Sequence, residues 1–218
     1  MTKVRNLKKK QESAQKIIRL LKKYYPDAHC ALNYTSPGEL LIATILSAQC
    51  TDKRVNIVTE TLFKKYPKPQ NFVDAPIKEL EQDIHSTGFY KNKAKNIKQC
   101  CKDLVENYDG KVPKKLDQLV QLSGVGRKTA NVVLGNAYNI SSGVVVDTHV
   151  SRLSNRLGLV KGKNAQIIER ELNEIISKKH WIMFSHWLIA HGREVCKARV
   201  PQCNKCFLAE LCPSYVDK

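Results

Sequence analysis

Leu122-Ser123-Gly124-Val125-Gly126-Arg127-Lys128-Thr129-Ala130 joins two helical patterns, Leu116 to Leu122 and Thr129 to Tyr138, through a turn built on two glycines. Glycines one residue apart permit a tight turn and let a ligand approach the backbone closely. The N–H groups of such a turn, at the start of the next helix, make an anion site suited to phosphate. A plain connection between helices is the other reading of Gly124, Val125 and Gly126. The cations that follow at once, Arg127 and Lys128, favour contact with a nucleic-acid backbone.

Lys128 falls in the first turn of the second helix, beside Arg127. A helix N-terminus and a neighbouring cation both disfavour an ammonium, and a neutral amine is what a Schiff-base nucleophile requires. Binding a phosphate is the plainer role for the same lysine. Spacing alone leaves both open.

Outward from this hairpin, the pattern stays helical. Ile17, Leu20, Leu21 and Tyr24 mark a first helix that ends before Pro26, with Lys and Arg on its other face. Ser36-Pro37 starts a segment carrying Leu40, Leu41, Ile45 and Leu46, and Thr51 caps one carrying Val55, Val58 and Leu62. Further segments run from about Pro76 to Ile84, Lys91 to Asn107, Thr148 to Leu157, Ala165 to Ser177, and Trp181 to Cys196. Only Val144-Val145-Val146 has strand character, and one short run makes no sheet. The predicted class is all-α, with Asn139 to Gly143 as the crossing between domains.

Lys and Arg total 37 against 20 acids in 218 residues, a net charge of +17. A field that strong favours a polyanion. No apolar run approaches the roughly 18 residues of a membrane span, and no signal peptide opens the chain. Nucleic acid is therefore the predicted partner, in the cytoplasm and without membrane.

Cys30, Cys50, Cys100 and Cys101 are scattered, but Cys196, Cys203, Cys206 and Cys212 follow C-x6-C-x2-C-x5-C. In a reducing compartment such a cluster holds metal rather than disulfides. Four thiolates suit a tetrahedral zinc or a cubane iron–sulfur cluster, and chemistry alone does not choose. His149, His180, His186 and His191 offer no i, i+4 pair, so no catalytic metal is expected.

In Val144-Val145-Val146-Asp147-Thr148-His149 one acid follows an apolar run at a helix start. An N-cap is the commonest task for Asp there, and the capping N–H donors keep it ionised. An anionic carboxylate near a sugar also stabilises oxocarbenium character. The two roles are compatible.

Taken together, the chain resembles the endonuclease III family of DNA glycosylases, in the helix–hairpin–helix superfamily. The resemblance spans nearly the whole chain. It includes Leu46-Ser47-Ala48-Gln49, Thr51-Asp52, Asn56, Gly88-Phe89-Tyr90, Lys93-Ala94, and Gly124 to Val133. It continues through Val146 to His149, His186-Trp187-Leu188, His191-Gly192-Arg193 and the four cysteines. It implies two helical lobes with a DNA cleft between them: a six-helix domain at 30–140, with the helix–hairpin–helix at about 116–138, and a second domain of 1–29 plus 141–218. It implies a [4Fe–4S] cluster on Cys196, Cys203, Cys206 and Cys212.

For function, the resemblance implies a monomeric, bifunctional glycosylase and abasic-site lyase acting on nucleoid DNA. Oxidised pyrimidines leave duplex DNA, and the abasic site is cleaved by β-elimination. Lys128 falls on the family's nucleophile and Asp147 on its carboxylate. Gln49 falls on the residue that fills the gap left by the flipped base, and Phe89 on the wedge. Gly124, Val125, Gly126, Arg127 and His149 fall on DNA-contacting positions. Ser123, Thr87, Phe89 and Cys50 depart from the family's usual proline, aliphatic and alanine residues. An adenine-specific monofunctional glycosylase, which lacks the lysine, and a non-catalytic DNA-binding protein with structural zinc are the rival readings.

Overall fold

The computed structural model describes residues 2–216, with side chains from residue 6 onward. Every regular element among the described residues is helical. The chain divides into two compact units, Cys30–Ser142 and a second one made of Met1–His29 with Gly143–Lys218.

Helix α1 (Thr2–Tyr24) opens the discontinuous unit. The continuous unit holds α2 (Pro37–Leu46), α3 (Asp52–Lys65), α4 (Pro69–Asp74), α5 (Ile77–Asp83), α6 (Tyr90–Tyr108), α7 (Leu116–Leu119) and α8 (Arg127–Tyr138). The discontinuous unit resumes with α9 (Thr148–Arg156), α10 (Ala165–Ile175) and α11 (Trp181–Glu194), then a loop with two short 3₁₀ turns.

The boundaries have local causes. Ser36 caps α2 by accepting from the Glu39 N–H, with Pro37 at the first helical position. Thr51 caps α3 by accepting from the Arg54 N–H. Helix α8 ends where Asn139 turns left-handed at φ 55°, and the Ile140 N–H returns to the Leu134 carbonyl. That closure satisfies carbonyls the helix would otherwise leave bare.

Each unit has its own core. In Cys30–Ser142, α2 and α8 pack through Leu40, Leu41, Ala130, Val133 and Leu134, with Phe72, Ile97 and Leu104 from α4 and α6. In the other unit, Ile17 and Leu21 of α1 meet Val150, Leu153, Leu172, Phe184 and Leu188. Full burial of each such side chain contributes on the order of 2–3 kcal/mol.

Val144–Val146 is not a strand: the segment has no regular secondary structure. Side chains supply what a neighbouring strand would have given. The Val144 N–H donates to Asn173 Oδ1 (3.1 Å), and the Val145 carbonyl accepts from Ser185 Oγ (2.9 Å). Val144 and Val146 are thereby buried, and Asp147 is delivered to the start of α9.

Candidate active site

The hairpin joins α7 to α8. Its turn is held by backbone bonds from Val125 N–H to the Leu122 carbonyl and from Ala130 N–H to the Gly126 carbonyl. The Ser123 N–H donates to Asp103 Oδ2 (3.3 Å), which ties the turn to α6. The two glycines differ in what they do. Gly124 sits at φ +73°, and a Cβ there would stand 2.9 Å from the Asn96 Cβ, so the fold itself demands glycine. Gly126 has an ordinary extended backbone, and a Cβ there would meet nothing within 4 Å.

Gly126 is the N-cap of α8 and provides no side-chain cap, so the first amides of the helix face outward. Val125 is only 5% exposed and offers a ligand its backbone alone. Arg127 and Lys128 are both exposed. Among the described residues no hydrogen bond or ion pair engages the Lys128 ammonium.

Gln49 and Phe89 share an unusual backbone. Among the described residues, four other than glycine have positive φ: Gln49, Phe89, Asp109 and Asn139. Asp109 and Asn139 close helix C-termini and belong to types that tolerate this region. Gln49 (φ 53°) and Phe89 (φ 49°) do not, and both are exposed, Phe89 by 64%. An exposed phenylalanine in a strained turn is no core residue. Beneath it Thr87 is buried with its hydroxyl on the Ile84 carbonyl, and the Tyr90 ring lies against His85.

Asp147 is the N-cap of α9, accepting through Oδ1 from the Val150 N–H at 2.8 Å. The carboxylate is half-buried, and capping engages Oδ1. His149 is also half-buried; its Nδ1 lies 3.2 Å from Arg152 Nη2, and it packs so closely on α11 that a Cβ at Gly192 would come within 2.6 Å.

Cys196, Cys203, Cys206 and Cys212 are all half-buried and line one cavity of about 140 Å³. Burial pushes the Cys206 and Cys212 thiols up; Cys196 and Cys203 add to the rise at both, and Arg156 opposes it at Cys212. Among the described residues no group of three or more His, Cys, Asp or Glu side chains is drawn together as a single ion would need. Two neighbours carried no signal in the sequence. Arg156, at the end of α9, braces the loop through the Lys197 and Ala198 carbonyls. Tyr25 bonds His191 Nδ1 (3.1 Å), whose Nε2 lies 3.4 Å from Cys206 Sγ.

These features define an all-helical protein, among its described residues, whose α7–α8 hairpin carries two exposed cations after a glycine turn. Residues 42–178 match the model of the HhH-GPD superfamily base excision DNA repair proteins. Endonuclease III of Synechocystis sp. is 52% identical over 97% of this chain and 96% of its own length. That of Bacillus subtilis is 48% identical over 86% of each. A solved endonuclease III trapped as a covalent intermediate with DNA, in an estranged-adenine complex, superposes with a TM-score of 0.89. It is 46% identical and covers 94% of this chain and 96% of its own. The chain belongs to the HhH-GPD superfamily of base excision DNA repair proteins, in its endonuclease III family.

Proposed function

We propose that this chain excises oxidised pyrimidines from duplex DNA and then cleaves the abasic site by β-elimination. The observation that carries the reading is Lys128: an exposed amine in the first turn of α8, directly after a bare glycine turn, in a member of the endonuclease III family. DNA is the partner. The hairpin amides of Gly124, Val125 and Gly126, with Arg127, take its backbone phosphate. No helix among the described residues is long and apolar enough to cross a membrane. In this reading the enzyme works as a monomer in the cytoplasm, on the nucleoid.

The chemistry follows from what each group can do. C1′ is unreachable inside a duplex, so the nucleotide turns out, and Gln49 and Phe89 hold the opened stack. The Asp147 carboxylate supports positive charge on the sugar. The Lys128 amine, after releasing a proton to solvent, bonds to C1′ as the C1′–base bond breaks, and the base leaves with the electron pair and gains a proton. Ring opening gives a protonated Schiff base, which draws electrons from the C2′–H bond. Loss of that proton expels the 3′ phosphate, and water then releases Lys128. His149, packed against α11, carries a contact to the DNA backbone.

The four cysteines would hold a [4Fe–4S] cluster. Four thiols around one cavity of about 140 Å³, with Arg156 beside Cys196, suit an anionic group larger than one ion. When bound, the cluster supplies structure to the C-terminal loop and its DNA contacts. Borohydride trapping on oligonucleotides carrying a panel of oxidised pyrimidines tests the function. Trapped adducts on lesion duplexes are the expected result; adducts on preformed abasic sites alone would exclude the glycosylase step.

A further inference from the structure

Lys93 of α6 is 4% exposed, and its ammonium is spent on backbone. It donates to the Leu46 carbonyl and the Thr87 carbonyl, each at 2.8 Å. Leu46 is the last residue of α2, three before Gln49; Thr87 closes the 3₁₀ turn two before Phe89. The two strained turns, far apart in sequence, therefore end on one cation.

No carboxylate pairs with Lys93 among the described residues, and Cys50 is the one ionisable group acting on it. Burial pushes its pKa down. A buried, unpaired ammonium is costly, and an apolar side chain would fill the space more cheaply. Such a group persists where its geometry is needed.

We propose that Lys93 is a positioning residue that fixes the Gln49 turn against the Phe89 turn, so that both side chains enter the opened duplex as one unit. The inference rests on the base-excision reading above. It assigns Lys93 no contact with the reacting atoms. Loss of the strut leaves each turn intact but lets their separation drift.

A mutant cycle tests this. Single-turnover excision of one oxidised pyrimidine is measured for the wild type, Lys93→Met, the Gln49→Ala/Phe89→Ala double variant and the triple variant. Cleavage of a preformed abasic site is the second substrate, and 2-aminopurine opposite the lesion reports unstacking. Lys93→Met, similar in length but without donors, should slow excision about a hundredfold, the scale of an ångström-sized misplacement. It should dim the 2-aminopurine signal and largely spare abasic-site cleavage. Added to the double variant, it should change nothing more, because both act through the same contact. Full additivity, or equal loss on both substrates, overturns the inference. Should Lys93→Met not fold, Lys93→Arg takes its place: it keeps charged donors, alters the distance between the carbonyls, and should show the same non-additivity. A wild type that excises no lesion yet cleaves abasic sites removes the base-excision reading instead.

Discussion

Arg156 Nη1 donates to the Cys196 sulfur at 3.3 Å while the same guanidinium holds the Lys197 and Ala198 carbonyls. A cation fixed to the backbone just after a cysteine, and to its sulfur, does two things. It offsets negative charge on the cysteine, and it sets the path of the loop that carries the next ligand.

Native protein should therefore be yellow-brown and hold about four irons per chain. Arg156→Gln should fold but lose iron to a chelator several-fold faster. Cys203→Ser should lower the yield of folded protein, since the ligands tie the tail to the unit. Stoichiometric zinc in a colourless native preparation would overturn the cluster.

The hairpin glycines should separate cleanly. Gly124→Ala meets both positive φ and the Asn96 side chain, so it should cost about 1–3 kcal/mol of stability. Gly126→Ala meets nothing, and stability should stay within about 0.5 kcal/mol. DNA affinity should nonetheless fall roughly tenfold or more, as a methyl group displaces a charge-assisted phosphate bond. Thermal melts and binding titrations of the two variants check this. Unchanged affinity in Gly126→Ala would leave the hairpin a mere connection.

The net charge of +17 predicts salt-sensitive binding. If roughly four phosphates are neutralised, duplex affinity falls about a hundredfold between 50 and 200 mM salt. A flat response would make the charge only a solvated surface.

The Cys100 thiol, buried in the core of Cys30–Ser142, is pushed from its ordinary 9.0 up to about 12. It stays neutral in the fold while an unfolded chain ionises above 9.0. Folded protein then binds more protons across this window, so stability is full below pH 9.0 and falls as pH rises towards about 12. The loss reaches at most about 4 kcal/mol. Urea midpoints at about pH 8 and about pH 10.5 should fall less for Cys100→Ala than for wild type. Equal declines would mean other groups carry the alkaline loss.

The helices and their caps were legible because turn residues punctuate them: Ser36-Pro37 and Thr51 start helices as their chemistry predicts. Val144–Val146 was not, because β-branching cannot tell a strand from a segment whose partners are Asn173 and Ser185 side chains. At the site, Gly124 and Gly126 look alike in sequence; only φ and the neighbouring Asn96 separate a fold requirement from a surface left open. Phe89's exposure and Lys93's burial each reverse the usual preference of the residue type, so no periodicity could have found them. Arg156 and Tyr25 reach the cysteine loop across long sequence separations, which local patterns do not encode.

Lys128 and Asp147 should fail in different ways. A Schiff base needs an amine, so Lys128→Gln should abolish borohydride-trapped adducts while DNA binding survives through the hairpin amides and Arg127. Asp147→Asn separates capping from chemistry. Its amide oxygen can still accept from the Val150 N–H, as Oδ1 does now at 2.8 Å, so α9 should keep its start and the protein its fold. What disappears is the negative charge that supports the sugar cation. Base excision should drop roughly 10²–10⁴-fold with lesion binding retained. Single-turnover excision beside a thermal melt makes the comparison. Normal trapping by Lys128→Gln would mean that another amine attacks C1′. A folded Asp147→Asn protein with full activity would reduce the residue to its cap, whereas lost activity with an unchanged melt leaves the charge itself as the cause.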